Sequence, residues 1–131
     1  MRSVSTDDAP RPRGHYSQAL VHEDTVYVSG QLAIDPAEPE APPPADIGAQ
    51  TRQALANVDA ILQAADSGLD RALQVTLFIA DEEGWAAVNA AYAEALGAHR
   101  PARAVIPVGR LPRGFLVEIQ TVAALRGEGT R

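Results

Sequence analysis

The sequence predicts one α/β (α+β) domain: a mixed β-sheet with two helices on one face, its elements running ββ-α-β-α-ββ. Three observations carry this. The chain has 131 residues, 46% hydrophobic and 21% charged, enough for one ordinary core and too little for two. Short β-rich runs alternate with two segments whose apolar residues recur at helical spacing, and a strand–helix–strand succession calls for crossover connections. The last β-type run, 115–124, is fully polar on neither of its faces.

Residues 1–13 (MRSVSTDDAPRPR) offer little to bury and are expected to form a flexible N-terminal arm ahead of a domain spanning 14–125. Ser17–Val21 and Thr25–Gly30 are two β-type runs split by the polar turn His22-Glu23-Asp24, the pattern of a hairpin. Asp35–Pro44 (DPAEPEAPPP) is expected to be a solvent-exposed loop, because its prolines remove backbone donors and favour extended conformations. Asp46 fits an N-cap. Behind it Ile47, Ala54, Leu55, Val58, Ile61, Leu62 and Ala65 trace one helical face, and Gly68 follows where the helix should stop.

Leu73–Ile79 is a compact strand with apolar residues toward both sides. Asp81 can cap a second helix, with Glu82 and Glu83 near the positive end of its dipole. The apolar face of that helix is Trp85, Val88, Tyr92 and Leu96, which makes Trp85 a core residue, and Gly97 is a natural C′ position. Two further strands, Ala104–Val108 and Phe115–Ala124, are joined by Gly-Arg-Leu-Pro-Arg-Gly, and the tail 126–131 is expected to fray. In the last strand Phe115, Val117, Ile119 and Thr121 share one side and Leu116, Glu118, Gln120 and Val122 the other. Two helices cover one sheet face, so the second face is expected to meet another subunit.

Net charge narrows the partners. At −6, with the basic residues scattered, the chain repels a polyanion at long range, so no nucleic acid is expected. The absence of cysteine removes disulfides, thiolate metal sites and a Cys nucleophile. Three scattered histidines without a carboxylate cluster do not suggest a metal site. No apolar stretch approaches a membrane span and the N-terminus lacks an apolar signal core, so no membrane association and a cytoplasmic location are expected.

Three polar residues stand where periodicity calls for apolar ones. Glu118 interrupts an aliphatic strand, Asn89 falls beside Val88 and Tyr92, and Arg103 opens a strand after His99-Arg100-Pro101-Ala102. A buried carboxylate needs a partner or it neutralises itself. Pattern alone therefore favours an ion pair that locks an interface over a catalytic group.

The strings Gly14-His15-Tyr16-Ser17-Gln18, Val28-Ser29-Gly30-Gln31, Gln50-Thr51-Arg52-Gln53, Val88-Asn89-Ala90-Ala91-Tyr92, Pro101-Ala102-Arg103 and Arg110-Leu111-Pro112…Val117-Glu118-Ile119 together resemble the signature of the Rid family, the reactive intermediate deaminases or YjgF-like proteins. The resemblance runs in order over residues 14–125. It implies a chorismate-mutase-like fold, a homotrimer with clefts between subunits, and cofactor- and metal-independent hydrolysis of 2-aminoacrylate-like 2-imino acids to 2-keto acids and ammonia. By the same resemblance Arg103 grips the substrate carboxylate with a guanidinium fork, and Glu118 handles the attacking water and the departing amine. Tyr16, Ser29, Gly30, Asn89 and Val105 would line the cleft.

The chain departs from the family pattern at three places. Val105 stands where many members carry cysteine, Pro107 interrupts a strand and marks it as an edge or a bulge, and His15 replaces a common proline. Two other readings remain open: a non-catalytic binder of small carboxylates that needs Arg103 but not Glu118, and the endoribonuclease or translation-inhibitor activity attached to some relatives, which the acidic balance opposes.

Overall fold

The computed structural model describes residues 1–127. In chain order the elements are β1 (Arg2–Val4), β2 (Ala19–His22), β3 (Thr25–Leu32), α1 (Ile47–Ala64), β4 (Ala72–Ile79), α2 (Trp85–Leu96), β5 (Ala102–Pro107) and β6 (Val117–Ala124). The six strands form one sheet in the order β1-β2-β3-β6-β4-β5. Only β4 and β5 run parallel, joined through α2; β6 inserts antiparallel between β3 and β4. The mixed sheet and both helices follow the expected order, and β5 is the edge strand that Pro107 foretold, with Pro107 its last residue.

Both helices pack on one face. Val26, Val75, Leu77, Val117 and Ile119 point from the sheet into Leu55, Val58, Ile61 and Leu62 of α1 and Val88 of α2, all essentially buried. Asp46 caps α1 as expected, its carboxylate accepting from the N–H groups of Gly48 (2.7 Å) and Ala49 (3.3 Å). Gly97 closes α2 with φ 62°, the left-handed geometry that favours glycine. The second cap differs from expectation. Asp81 accepts from Glu83 N–H and closes a separate 3₁₀ turn, Glu82–Gly84, so α2 starts only at Trp85.

The N-terminal segment is also corrected. Rather than a loose arm, Arg2–Val4 pairs antiparallel with β2, and Val4 and Ala9 are buried. Gln18, buried, holds the following turn: its Oε1 accepts from Thr6 N–H at 2.7 Å, and its Nε2 donates to the carbonyls of Thr6 and Pro10. A three-residue strand leaves no alternation to recognise. At the other end Arg126 is tied to Asp70 by two hydrogen bonds of 2.9 Å, which moves the onset of any fraying past it; the remainder of that expectation, 128–131, lies outside the described residues.

Among the described residues no helix covers the opposite sheet face. Leu20, Tyr27, Phe78, Ile106 and Val122 lie there with Gln74, Thr76, Glu118 and Gln120, and Tyr27 remains 50% exposed. No helix among the described residues is long and apolar enough to cross a membrane.

Candidate functional site

The expected site residues fall into two groups on opposite faces of the sheet. Glu118 pairs with Phe78 across β6 and β4, on the bare face. Arg103 pairs with Val75 across β5 and β4, and Val75 is buried under the helices. With β4 between them and opposite outlooks, Arg103 and Glu118 of one chain form no ion pair.

Glu118 lies in a cavity of about 470 Å³ whose walls include Tyr16, Ser29, Gly30, Gln31, Arg13 and Arg113. A β-bulge builds one wall. The β3–β6 register slips between Val28 and Gln31, so Ser29 and Gly30 carry one residue more than the partner strand opposite them. Ser29 is pinned there, its Oγ donating to Ser17 O at 2.7 Å and its N–H to Gln18 O at 2.9 Å. At Gly30 an added Cβ would stand 2.9 Å from Glu118 Oε2 and 3.0 Å from Cδ. The glycine is required because the carboxylate lies against its backbone. Burial pushes the Glu118 carboxyl above its ordinary value, and among the described residues no cation pairs with it. Tyr16 stands 51% exposed at the mouth.

The second group sits at the edge formed by β5 and α2. Arg103 Nη1 donates to Asn89 Oδ1 at 2.8 Å. Its guanidinium carbon lies 5.1 Å from the Trp85 ring centroid and 4.9 Å from that of Tyr92. Burial raises the Tyr92 phenol, and the Arg103 charge opposes that shift. Trp85, expected in the core, is 42% exposed and used by Arg103 instead. Val105, two residues along, packs against the main core.

Two cavity residues escaped the sequence reading. Arg113 adopts φ 58°, rare outside glycine, stacks over Phe115 at 5.3 Å and donates to Ala41 O. Arg13 donates to Glu40 Oε1 at 2.8 Å and to Pro39 O at 3.0 Å. Both tie the proline-rich loop to the cavity rim, so 35–44 is more than a connection. The one available signal was an arginine next to glycine in Leu111-Pro112-Arg113-Gly114. His99 is structural, its Nε2 donating to Ala72 O at 2.7 Å. Among the described residues no three His, Cys, Asp or Glu side chains gather as a metal site.

Chemically, one half offers a desolvated carboxylate beside a pinned hydroxyl and exposed backbone. The other offers a guanidinium set against two aromatic rings, with one N–H held by Asn89. A small carboxylic acid needing both an anion anchor and a proton-handling group would use the two together.

A family model described as Endoribonuclease L-PSP matches residues 6–125. A RutC family protein of Pyrococcus horikoshii is 41% identical over 120 residues, 92% of this chain and 94% of its own. A goat protein named 2-iminobutanoate/2-iminopropanoate deaminase is 38% identical over 122 residues, 93% of this chain and 88% of its own. Among solved structures, the YjgF gene product of E. coli superposes with a TM-score of 0.90 at 35% identity, covering 96% of this chain and all (100%) of that one. E. coli TdcF with bound serine superposes at 0.89 with 32% identity, covering 95% and 98%. The fold is thus the YjgF, chorismate-mutase-like arrangement.

Proposed function

We propose that this chain, which belongs to the Endoribonuclease L-PSP (YjgF/RidA/RutC) family, is an enamine/imine deaminase that hydrolyses small 2-imino acids to 2-keto acids and ammonia. The observation that carries the reading is the pair of complementary halves: among the described residues, a half-buried Glu118 that no cation pairs and an Arg103 that no carboxylate pairs. Relatives of 36–38% identity named 2-iminobutanoate/2-iminopropanoate deaminase support it.

The halves meet, in this reading, when a second copy packs on the bare sheet face and brings its Arg103 to the Glu118 cavity, as in a homotrimer with sites between subunits. The substrate carboxylate sits on the free edge of Arg103 through two parallel hydrogen bonds, which fixes the C2 carbon over Glu118. A protonated imine carbon is already electrophilic. Glu118 takes a proton from the attacking water as its oxygen bonds to C2, then returns that proton to the nitrogen. The C2–N bond breaks and ammonia leaves, while Glu118, ionised again, takes the hydroxyl proton as the carbonyl forms. Ser29 and the backbone at Gly30 line the path of the water, and Tyr16 closes the mouth. No residue in this sequence of steps calls for a metal or an organic cofactor.

The test is keto-acid release from 2-aminoacrylate generated in situ by a pyridoxal-phosphate lyase. Acceleration over buffer, abolished in Arg103→Ala, is the expected result. Tight pyruvate binding by calorimetry without turnover of any imine would instead support a carboxylate-binding protein. The net charge of −6 opposes the family's endoribonuclease label, because it repels a polyanion at long range.

A further inference from the structure

We propose that Trp85 and Tyr92 are positioning residues that, with Asn89, hold the Arg103 guanidinium in one plane and leave it a single free edge. The inference rests on Arg103 being the carboxylate anchor of the deaminase reading, and it concerns how that anchor is built.

The three residues stand at i, i+4 and i+7 on α2. Seven residues advance a helix by about 10.5 Å. The Arg103 guanidinium carbon lies 5.1 Å from the Trp85 ring centroid and 4.9 Å from that of Tyr92, so one group is in reach of rings from two successive turns of α2. Asn89, midway, accepts from Nη1. Guanidinium hydrogen bonds lie in the molecular plane and ring contacts do not. In the proposed clamp the two rings and the amide restrain different parts of the group, and the in-plane N–H donors that Asn89 does not hold are left for a planar carboxylate.

Such a device has work to do here. Arg103 is exposed and sits on the edge strand, with no further strand to restrict its rotamers. A free arginine would lose that freedom on binding each substrate; a held one has lost it already. Trp85 has little else to explain it: it is 42% exposed at the first residue of α2. Tyr92 contributes its ring, since among the described residues its buried hydroxyl has no hydrogen-bond partner.

Trp85 is the only tryptophan, so its emission reports on this site. Pyruvate titrated into the wild-type protein is expected to shift that emission saturably, and Arg103→Ala to abolish the response. Nitrogen-15 relaxation of the Arg103 Nε–Hε group is expected to show an ordered side chain in the wild type and a mobile one in Trp85→Ala and Tyr92→Leu. The same two variants should lose about threefold to thirtyfold in pyruvate affinity and in kcat/KM, mainly through KM, while Trp85→Phe and Tyr92→Phe stay within about threefold of wild type. Trp85 is exposed, so Trp85→Ala is expected to fold normally even if Tyr92→Leu does not. An Arg103 equally ordered in Trp85→Ala, with unchanged pyruvate affinity, overturns the proposal and leaves the deaminase reading standing. Loss of order in a protein whose wild type hydrolyses no imine supports the clamp and removes the deaminase.

Discussion

Glu118 is a carboxylate that burial desolvates and that no cation among the described residues pairs. Its raised titration has two consequences with definite signs. The ionised form that accepts a proton from water should be lost at a higher pH than the ordinary carboxyl value of 4.5, so the acidic limb of the kcat/KM profile is expected to lie above that value. Glu118→Gln should lower kcat by about 10²–10⁴-fold and remove the limb while pyruvate still binds. For stability, a carboxyl whose folded value is raised binds more protons folded than unfolded between the two values, so it costs stability as pH rises through that window. Glu118→Gln should accordingly raise the thermal midpoint more at pH 7 than at pH 4. At Gly30 the argument is steric. Gly30→Ala places a Cβ within 3.0 Å of the carboxylate, and is expected to cut kcat by displacing Glu118 while the urea midpoint changes little.

Elements transmit these positions. Gln50 of α1 donates to Pro44 O at 2.9 Å and accepts from Leu116 N–H at 2.8 Å, joining the proline-rich loop, the first helix and the approach to β6 through one buried amide. Gln50→Leu keeps the volume and strands two backbone groups. It should cost about 2–3 kcal/mol, read as a lower urea midpoint with an unchanged slope. Features of this kind separate what the sequence displays from what it hides. The Asp46 cap and the Gly97 terminus were legible because their partners lie within a few residues. The bulge at Ser29–Gly30 was not, because β6, against which it is defined, lies about ninety residues away. Trp85 was misassigned for a related reason. Helical period puts it on the apolar face, but what meets its ring is Arg103 from an edge strand rather than an aliphatic core. Arg13 and Arg113 gained their place at the cavity from a loop they hold, 39–41, which neither adjoins in sequence. The site roles themselves were legible only through a resemblance; periodicity alone left Glu118 better explained by an ion pair.

At the scale of the whole molecule, the helix-free face mixes exposed Leu20, Tyr27 and Ile106 with polar residues, and the two chemical halves look out from opposite faces of one sheet. In the shared-site reading proposed above, a single copy holds two incomplete sites and closed symmetry completes them, each subunit lending Arg103 to one neighbour and Glu118 to the other. This arrangement predicts complementation. Arg103→Ala and Glu118→Gln should each be inactive alone as purified oligomers. Unfolded together and refolded at a one-to-one ratio, they should recover activity, because an interface between an Arg103→Ala subunit giving its intact Glu118 and a Glu118→Gln subunit giving its intact Arg103 is wild-type. Random mixing leaves roughly a quarter of the sites whole, so recovery to about that fraction of wild-type kcat, with KM unchanged, is the expected outcome. Sedimentation of Tyr27→Asp provides the control: a charge on the bare face should dissociate the oligomer and abolish turnover without unfolding the chain. If the two variants refold as mixed oligomers and stay inactive, both halves belong to one chain's site and the shared-site reading is wrong.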